Sequence, residues 1–229
     1  GKNPMVIMED ADLDVAIPVT INGAFYQTGQ RCTASSRVIV HEKIYDAFVE
    51  RFVKEMEGLS VGPALDPKTQ VGPVVSETQL KSNLSYIEIA RNEGCEVVSG
   101  QHLAERNTGF FQRPGIFLNA TNQMRSSREE IFGPLASIIK VDNFDEAVAT
   151  ANDTEFGLSS AICTTSLYYA REFKRQSEAG MAMVNLPTAG VDYHVPFGGR
   201  KNSSYGSREQ GRAAIDFYTT TKTTYSFAG

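Results

Sequence analysis

The 229-residue chain carries 22 lysines and arginines against 27 aspartates and glutamates, a net charge of −5. With 41% hydrophobic and 21% charged residues it lies outside the disordered class, and a chain of this length buries roughly 70–75% of its unfolded surface in one large domain or two small ones. The acidic balance argues against a nucleic-acid partner, the apolar runs fall short of the ~20 residues a membrane helix needs, and Gly1-Lys2-Asn3-Pro4 lacks a signal-peptide pattern, so a cytoplasmic location is expected.

Residues 5–8 form an apolar run ending in Glu9-Asp10 and read as a buried strand. Asp12 can cap the helix that follows, in which Leu13, Ala16, Ile17, Ile21, Ala24 and Phe25 share one face. Pro18 inside that pattern is expected to kink or divide it, and Gly29 is placed to stop it. Small polar residues at 33–36 lead into a β-branched strand, Val38-Ile39-Val40. Helices are predicted over 42–57, with Ile44, Phe48, Phe52 and Met56 as a stripe, and over 76–92, with Leu80, Leu84 and Ile87. A loop rich in proline and glycine, 61–73, joins them. Gly94 ends the second helix, 96–98 reads as a strand, and 101–108 as a surface loop.

The alternation repeats further on. Strands are predicted at 136–141, 160–164 and 181–184, with helices at 145–151 and 167–176 between them. A polar, glycine-rich segment runs from 187 to 206, and a last helix at 207–215 leads into 218–225, where threonines and aromatics predict a strand. Strands separated by helices imply a parallel sheet covered on both faces. The final strand has no evident partner within the chain, so it is expected to pair with another copy.

Three cysteines, Cys32, Cys95 and Cys163, are too few and too irregularly spaced for a disulfide framework. The segment 28–36 is the sharpest local feature. A cysteine nucleophile needs an exposed thiolate, positive surroundings and backbone donors for a developing oxyanion. Cys32 follows a helix stop, has Arg31 beside it and is flanked by small residues, although a small core cysteine would read the same way. Cys95 and Cys163 sit in or beside strand-like runs and read as core. In Glu129-Glu130-Ile131-Phe132-Gly133-Pro134 a carboxylate and a ring can share one side of a turn, suited to ribose hydroxyls and a flat heterocycle; a solvated acidic pair and a core phenylalanine are the plain alternative. Pro196-Phe197-Gly198-Gly199-Arg200-Lys201 lacks the spacing of either phosphate-binding glycine loop and reads as a turn. Asp10, Asp12 and Asp14 begin like a calcium loop, but Val15 and Ile21 occupy the positions that need glycine and glutamate. His41, His102 and His194 share no metal-ligand spacing with the cysteines, and no metal is expected. The Asn-x-Ser/Thr triplets at Asn83, Asn119, Asn152 and Asn202 read as chance without a secretory signal.

Taken in order, these segments resemble the NAD(P)-dependent aldehyde dehydrogenase superfamily over essentially the whole chain. Gly1-Lys2-Asn3-Pro4 is similar to the end of its Glu-Leu-Gly-Gly-Lys-x-Pro motif, 25–32 to its nucleophile motif and 130–134 to its nicotinamide-side motif; 152–158 and 196–201 match two further signatures. The resemblance implies an α/β fold, the three-layer αβα catalytic domain of that family, with a mainly parallel sheet and a C-terminal oligomerisation strand. It divides the chain into a catalytic domain, 1–215, and an oligomerisation arm, 216–229, with the N-terminal coenzyme-binding domain, the general-base glutamate and an oxyanion-hole asparagine absent from these residues.

The resemblance also implies a mechanism. The Cys32 thiolate attacks an aldehyde carbonyl to give a thiohemiacetal, its backbone N–H helping to hold the oxyanion; hydride leaves for NAD+ or NADP+, and water hydrolyses the thioester. Glu130 would bind the nicotinamide ribose, Phe132 and Leu158 would border the nicotinamide, Gln79 would touch a ribose, and Arg31, Thr33 and Phe197 would line the substrate tunnel. Residues 185–195 resemble the branch acting on α-ketoglutaric semialdehyde, although Asn202 departs from the small residue expected after the Gly-Gly-Arg-Lys run. The expected partners are a small aldehyde and further copies of the chain, as a dimer or tetramer joined through 218–225, with no membrane. The 229 residues alone are expected not to turn over. Thiol-esterase chemistry at Cys32 and a non-catalytic assembly module are the competing readings.

Overall fold

The structure, a computed structural model, describes residues 1–104 and 109–229. Part of the loop expected at 101–108 therefore lies outside the described residues. The chain opens with β1 (Asn3–Ile7), α1 (Leu13–Phe25), β2 (Ser35–His41) and α2 (Glu42–Glu57), then α3 (Glu77–Asn92), β3 (Glu96–Ser99) and β4 (Gly115–Ala120). A short α4 (Arg125–Arg128) precedes β5 (Leu135–Val141), α5 (Phe144–Asn152), β6 (Phe156–Gly157), β7 (Ser159–Cys163), α6 (Leu167–Gln176) and β8 (Met181–Val184). The two-residue β9 (Arg200–Lys201) and α7 (Ala213–Tyr218) follow.

Seven strands form one sheet in the order β3-β4-β5-β2-β1-β7-β8, parallel throughout except for the antiparallel edge pair β3–β4. Alternate residues of the central strands feed two cores. Met5, Ile7, Val38, Val40, Ala136 and Ile138 pack under α1 and α2, where Phe52 stacks on Phe25 and Phe48 with centroids 5.7 and 5.2 Å apart. Val6, Ile39, Ile139, Val141 and Ile162 pack on the other face, under α3, α5 and α6, with Phe144, Ala147 and Phe173. The three αβα layers follow from this alternation, since a strand buried on both faces must be apolar at odd and even positions alike.

Local sequence accounts for most boundaries. Asp12 accepts from the Asp14 amide 2.9 Å away and caps α1, while Ser76, Asn143 and Ser166 cap α3, α5 and α6. Pro18 does not divide α1, which runs unbroken from Leu13 to Phe25 with the proline on its exposed face. Strand β4 was not expected; its apolar run Ile116-Phe117-Leu118 is too short to separate from a loop without its neighbours. The antiparallel pair of β6 and β9 was missed too, because two residues on each side, 43 apart in the chain (200 − 157), carry no local strand pattern. The C-terminal expectations fail more broadly. The last helix lies at 213–218, not 207–215, so it spans the boundary drawn between catalytic domain and arm, and 219–229 forms no strand. A strand exists only when its backbone groups meet a partner, and no strand among the described residues pairs with that exposed segment.

One buried cation ties the layers together. Arg37, on β2, is wholly buried, and its guanidinium donates to Lys2 O at 3.1 Å, Asn122 Oδ1 at 2.8 Å, Thr150 O at 2.7 Å and Ala151 O at 2.9 Å. Burial and the nearby Arg128 lower its pKa to about 10, against the pull of Asp153, which leaves it charged at neutral pH. Arg37→Met strands these acceptors and is expected to cost about 3–5 kcal/mol. Urea unfolding midpoints check this; a loss below about 1 kcal/mol would mean that water satisfies those carbonyls.

Candidate active site

Parallel pairing aligns the amino ends of four neighbouring strands, in the order β5-β2-β1-β7. Asn3 pairs with Ser35, Arg37 with Ser137 and Met5 with Ala161. The segments that enter these strands therefore meet along one edge of the sheet: Gly1 before β1, 31–34 before β2, 130–134 before β5 and Leu158 before β7. This brings Cys32, Glu130, Phe132 and Leu158 to one side of the molecule from positions up to 126 residues apart (158 − 32).

Cys32 is exposed, and the other two cysteines are buried; all three are free thiols. Burial pushes the Cys163 thiol up to about 12, and burial followed by the charge of Glu93 raises that of Cys95. Helix α1 ends at Phe25 and the chain turns through a short 3-10 segment, Tyr26–Gly29, with Gln27 and Thr28 at φ 54° and 60°. The turn is anchored where the Thr28 hydroxyl donates to Gly72 O at 3.1 Å. Gly29, at φ 64°, packs so closely that a Cβ there would collide with the carbonyl oxygen of Gly133. A Cβ on Gly133 would in turn strike the side chain of Asn83. The turn carrying Cys32 and the Glu130–Phe132 loop thus touch backbone to backbone.

Three consecutive carbonyls behind Cys32 are held by buried side chains. Asn3 Nδ2 donates to Cys32 O at 2.9 Å and to Ala34 O at 2.8 Å, and the Thr188 hydroxyl donates to Thr33 O at 2.6 Å. Asn3 Oδ1 accepts from the Ser159 amide at 3.1 Å, which joins this turn to the residue after Leu158. Neither Asn3 nor Thr188 was singled out from sequence. Their partners lie 29 to 156 residues away, and no local pattern marks them.

The other expected residues divide. Glu130 is exposed and its carboxylate meets the amino group of Gly1; Phe132 is partly exposed with φ 59°. Their loop is braced from below, where Gln79 Nε2 donates to Ile131 O at 2.9 Å and to Asn83 Oδ1 at 2.8 Å, and Asn83 passes the chain on to Gln112 at 2.8 Å. Gln79 therefore commits its amide nitrogen to the loop. The Arg31 guanidinium donates to Asn22 O and Gly23 O in the last turn of α1, and burial lowers its pKa. Thr33 is buried beneath the turn, Leu158 is buried at the start of β7, and Phe197 is half-buried, its backbone paired with Glu209. A cavity of about 670 Å³ opens between α3 and β3 beside Ile87, Arg91 and Val97 and contains none of these groups.

Lys2 lies wholly buried under the same edge, with Nζ donating to Ser126 O at 2.9 Å. Burial first and Arg37 second lower its pKa from 10.5 to about 7, against the pull of Glu130 and Glu129. The unfolded chain then binds the extra proton between about pH 7 and 10.5, so this lysine makes stability rise with pH across that window and costs most below it. Lys2→Met is expected to flatten that rise and to stabilise the fold below pH 7 by a few kcal/mol, roughly. Urea midpoints of parent and variant on both sides of neutrality check it; parallel pH dependences would refute the assignment.

A sequence profile of the aldehyde dehydrogenase family matches residues 1–224. The chain is 43% identical over 228 residues to the alpha-ketoglutaric semialdehyde dehydrogenase of Bacillus subtilis (strain 168), covering 98% of this chain and 47% of the relative. It is 46% identical over 229 residues to the alpha-ketoglutarate semialdehyde dehydrogenase of Haloferax volcanii, again covering 98% of this chain and 47% of the relative. A crystal structure of an NAD-dependent aldehyde dehydrogenase from Sinorhizobium meliloti superposes with a TM-score of 0.92 at 36% identity, over 95% of this chain and 43% of that one. The chain spans about half the length of the curated relatives it matches.

Proposed function

The chain belongs to the aldehyde dehydrogenase family, and on that premise we propose that it is the nucleophile-bearing part of an NAD(P)+-dependent enzyme that oxidises α-ketoglutaric semialdehyde to the corresponding carboxylate. The observation that carries the reading is Cys32: an exposed thiol on a turn whose carbonyls are tied back, at the amino edge of a parallel sheet, with the Glu130–Phe132 loop packed against it. The substrate rests on the two semialdehyde relatives and on the resemblance of residues 185–195.

In this reading the sulfur of Cys32 forms a bond to the carbonyl carbon while the carbonyl π pair moves to oxygen, and the backbone N–H of Cys32 helps to hold that oxygen. Loss of hydride from the same carbon leaves a thioester, and water breaks its C–S bond to release the carboxylate and restore the thiol. The residues present fit a nicotinamide coenzyme: Glu130 offers an exposed carboxylate to vicinal ribose hydroxyls, and the partly exposed ring of Phe132, with Leu158, borders a flat heterocycle. When bound, that coenzyme supplies the hydride acceptor. Gln79 acts one step back, bracing Ile131.

The exposed tail supports assembly. Tyr225 and Phe227 are each 94% exposed, and the backbone leaving α7 is already extended at Thr219. A second copy of the chain would give this segment its missing strand partner. Three free thiols suit a reducing compartment such as the cytoplasm. No helix among the described residues is long and apolar enough to cross a membrane.

Two experiments test these points. The semialdehyde, added without coenzyme, is expected to slow alkylation of Cys32 by iodoacetamide more than betaine aldehyde does, and Cys32→Ser should abolish the labelling; equal labelling with and without semialdehyde would overturn the substrate. Sedimentation of a chain ending at Asp216 is expected to give a smaller species than the 229-residue chain, and an unchanged value would remove the tail from the interface.

A further inference from the structure

The three carbonyls behind the nucleophile are not equivalent, and the difference points to a role for Asn3. Every peptide bond among the described residues is trans, so the N–H of a peptide points opposite to its C=O. Asn3 holds the Cys32 carbonyl, which fixes the N–H of Thr33 on the opposite side of the same peptide. Thr188 draws in the Thr33 carbonyl in the same way, but the N–H behind that one, Ala34 N, is already committed to Arg31 O at 2.9 Å. Of these two tethers, the one through Asn3 fixes a peptide whose N–H has no partner among the described residues.

The side chain of Asn3 is built for this task. It is 2% exposed, and it spends both amide hydrogens on the turn, at Cys32 O and Ala34 O, and its oxygen on Ser159 N. A planar amide with two donors and one acceptor in those directions cannot be replaced by a hydroxyl or an alkyl group without freeing at least one carbonyl. The oxygen end reaches β7 directly after Leu158, so the same side chain fixes the nucleophile turn relative to the Leu158 segment.

We propose that Asn3 is a positioning residue for the nucleophile: by holding the Cys32–Thr33 peptide it presents the Thr33 N–H to the Cys32 sulfur as a hydrogen-bond donor. This rests on the reading of Cys32 as the nucleophile.

The test is the alkylation rate of Cys32 in the folded 229-residue chain, with iodoacetamide as probe and urea midpoints measured alongside; the other two thiols are buried and do not compete. Asn3→Leu, close in size but without donors, is expected to slow alkylation about tenfold, the worth of one hydrogen bond to a charged group. Asn3→Ser, which keeps one donor, should recover part of the rate even if the leucine variant does not fold. Ser160→Ala removes a buried bond, to Ser177, away from this turn and should lose stability while alkylating at the parent rate. If the Asn3 variants alkylate at the parent rate, or if Ser160→Ala slows to the same degree as they do, Asn3 has only a structural role. An unreactive Cys32 in the parent chain would instead overturn the nucleophile itself, a separate outcome.

Discussion

Backbone meets backbone where Gly29 faces Gly133, and no side chain larger than hydrogen fits on the Gly29 side. The constraint reaches well beyond two residues. It seats the turn carrying Cys32 on the loop carrying Glu130 and Phe132, and that loop rests on Asn83 and Gln79 of α3. Segments that enter β2 and β5 are thereby locked at a spacing set by the sheet, and the chemistry of the edge depends on it. Interior packing is dense enough that even one methyl group at such a contact must displace the chain.

The location of this site at the amino ends of the strands runs against the usual preference of open parallel sheets, which place ligands beyond the carboxyl ends where the strand order reverses. That reversal falls between β1 and β7: the chain leaves β1 through α1 toward β2 on one side, and leaves β7 through α6 toward β8 on the other. The crevice there is filled from within. Asp10 accepts from the hydroxyls of Thr164 and Thr165 at 2.8–2.9 Å and from the Thr165 amide at 3.0 Å, an anion supplied by the chain itself ahead of α6. Burial opposes the ionised form, yet these donors together hold the carboxyl below its usual range. With that end closed by its own carboxylate, the amino edge is where the open chemistry gathers.

Buried charge marks the working edge as well. Lys2 and Arg37 sit side by side beneath the strand ends, each stripped of water and each donating to backbone carbonyls. Two cations brought together in a low-dielectric place are costly unless the surrounding oxygens are fixed. Here the carbonyls of Ser126, Thr150 and Ala151 belong to α4 and the end of α5, so the charges also hold those short elements against the sheet.

Much of this was legible in the residues. The helix over 42–57, the strand at 181–184 and the helix at 167–176 appear where periodicity and capping place them, because each is decided by burial on a repeating face and by a cap within three residues. Cys32, Glu130 and Phe132 stood out because their neighbours, small residues on one side and Gly-Pro on the other, are local signals. The short strand β4, the β6–β9 pair and the fate of 219–229 were not legible, because a strand is defined by a partner and a partner is a tertiary fact. The same reason hid Asn3 and Thr188, and the carbonyls to which Gln79 and Arg31 donate. Local pattern was enough for the long helices, most of the central strands and the one thiol set among small residues; which carbonyls that thiol's neighbours must surrender depends on the folded chain, since hydrogen bonds between residues 29 to 156 apart leave no trace in local spacing.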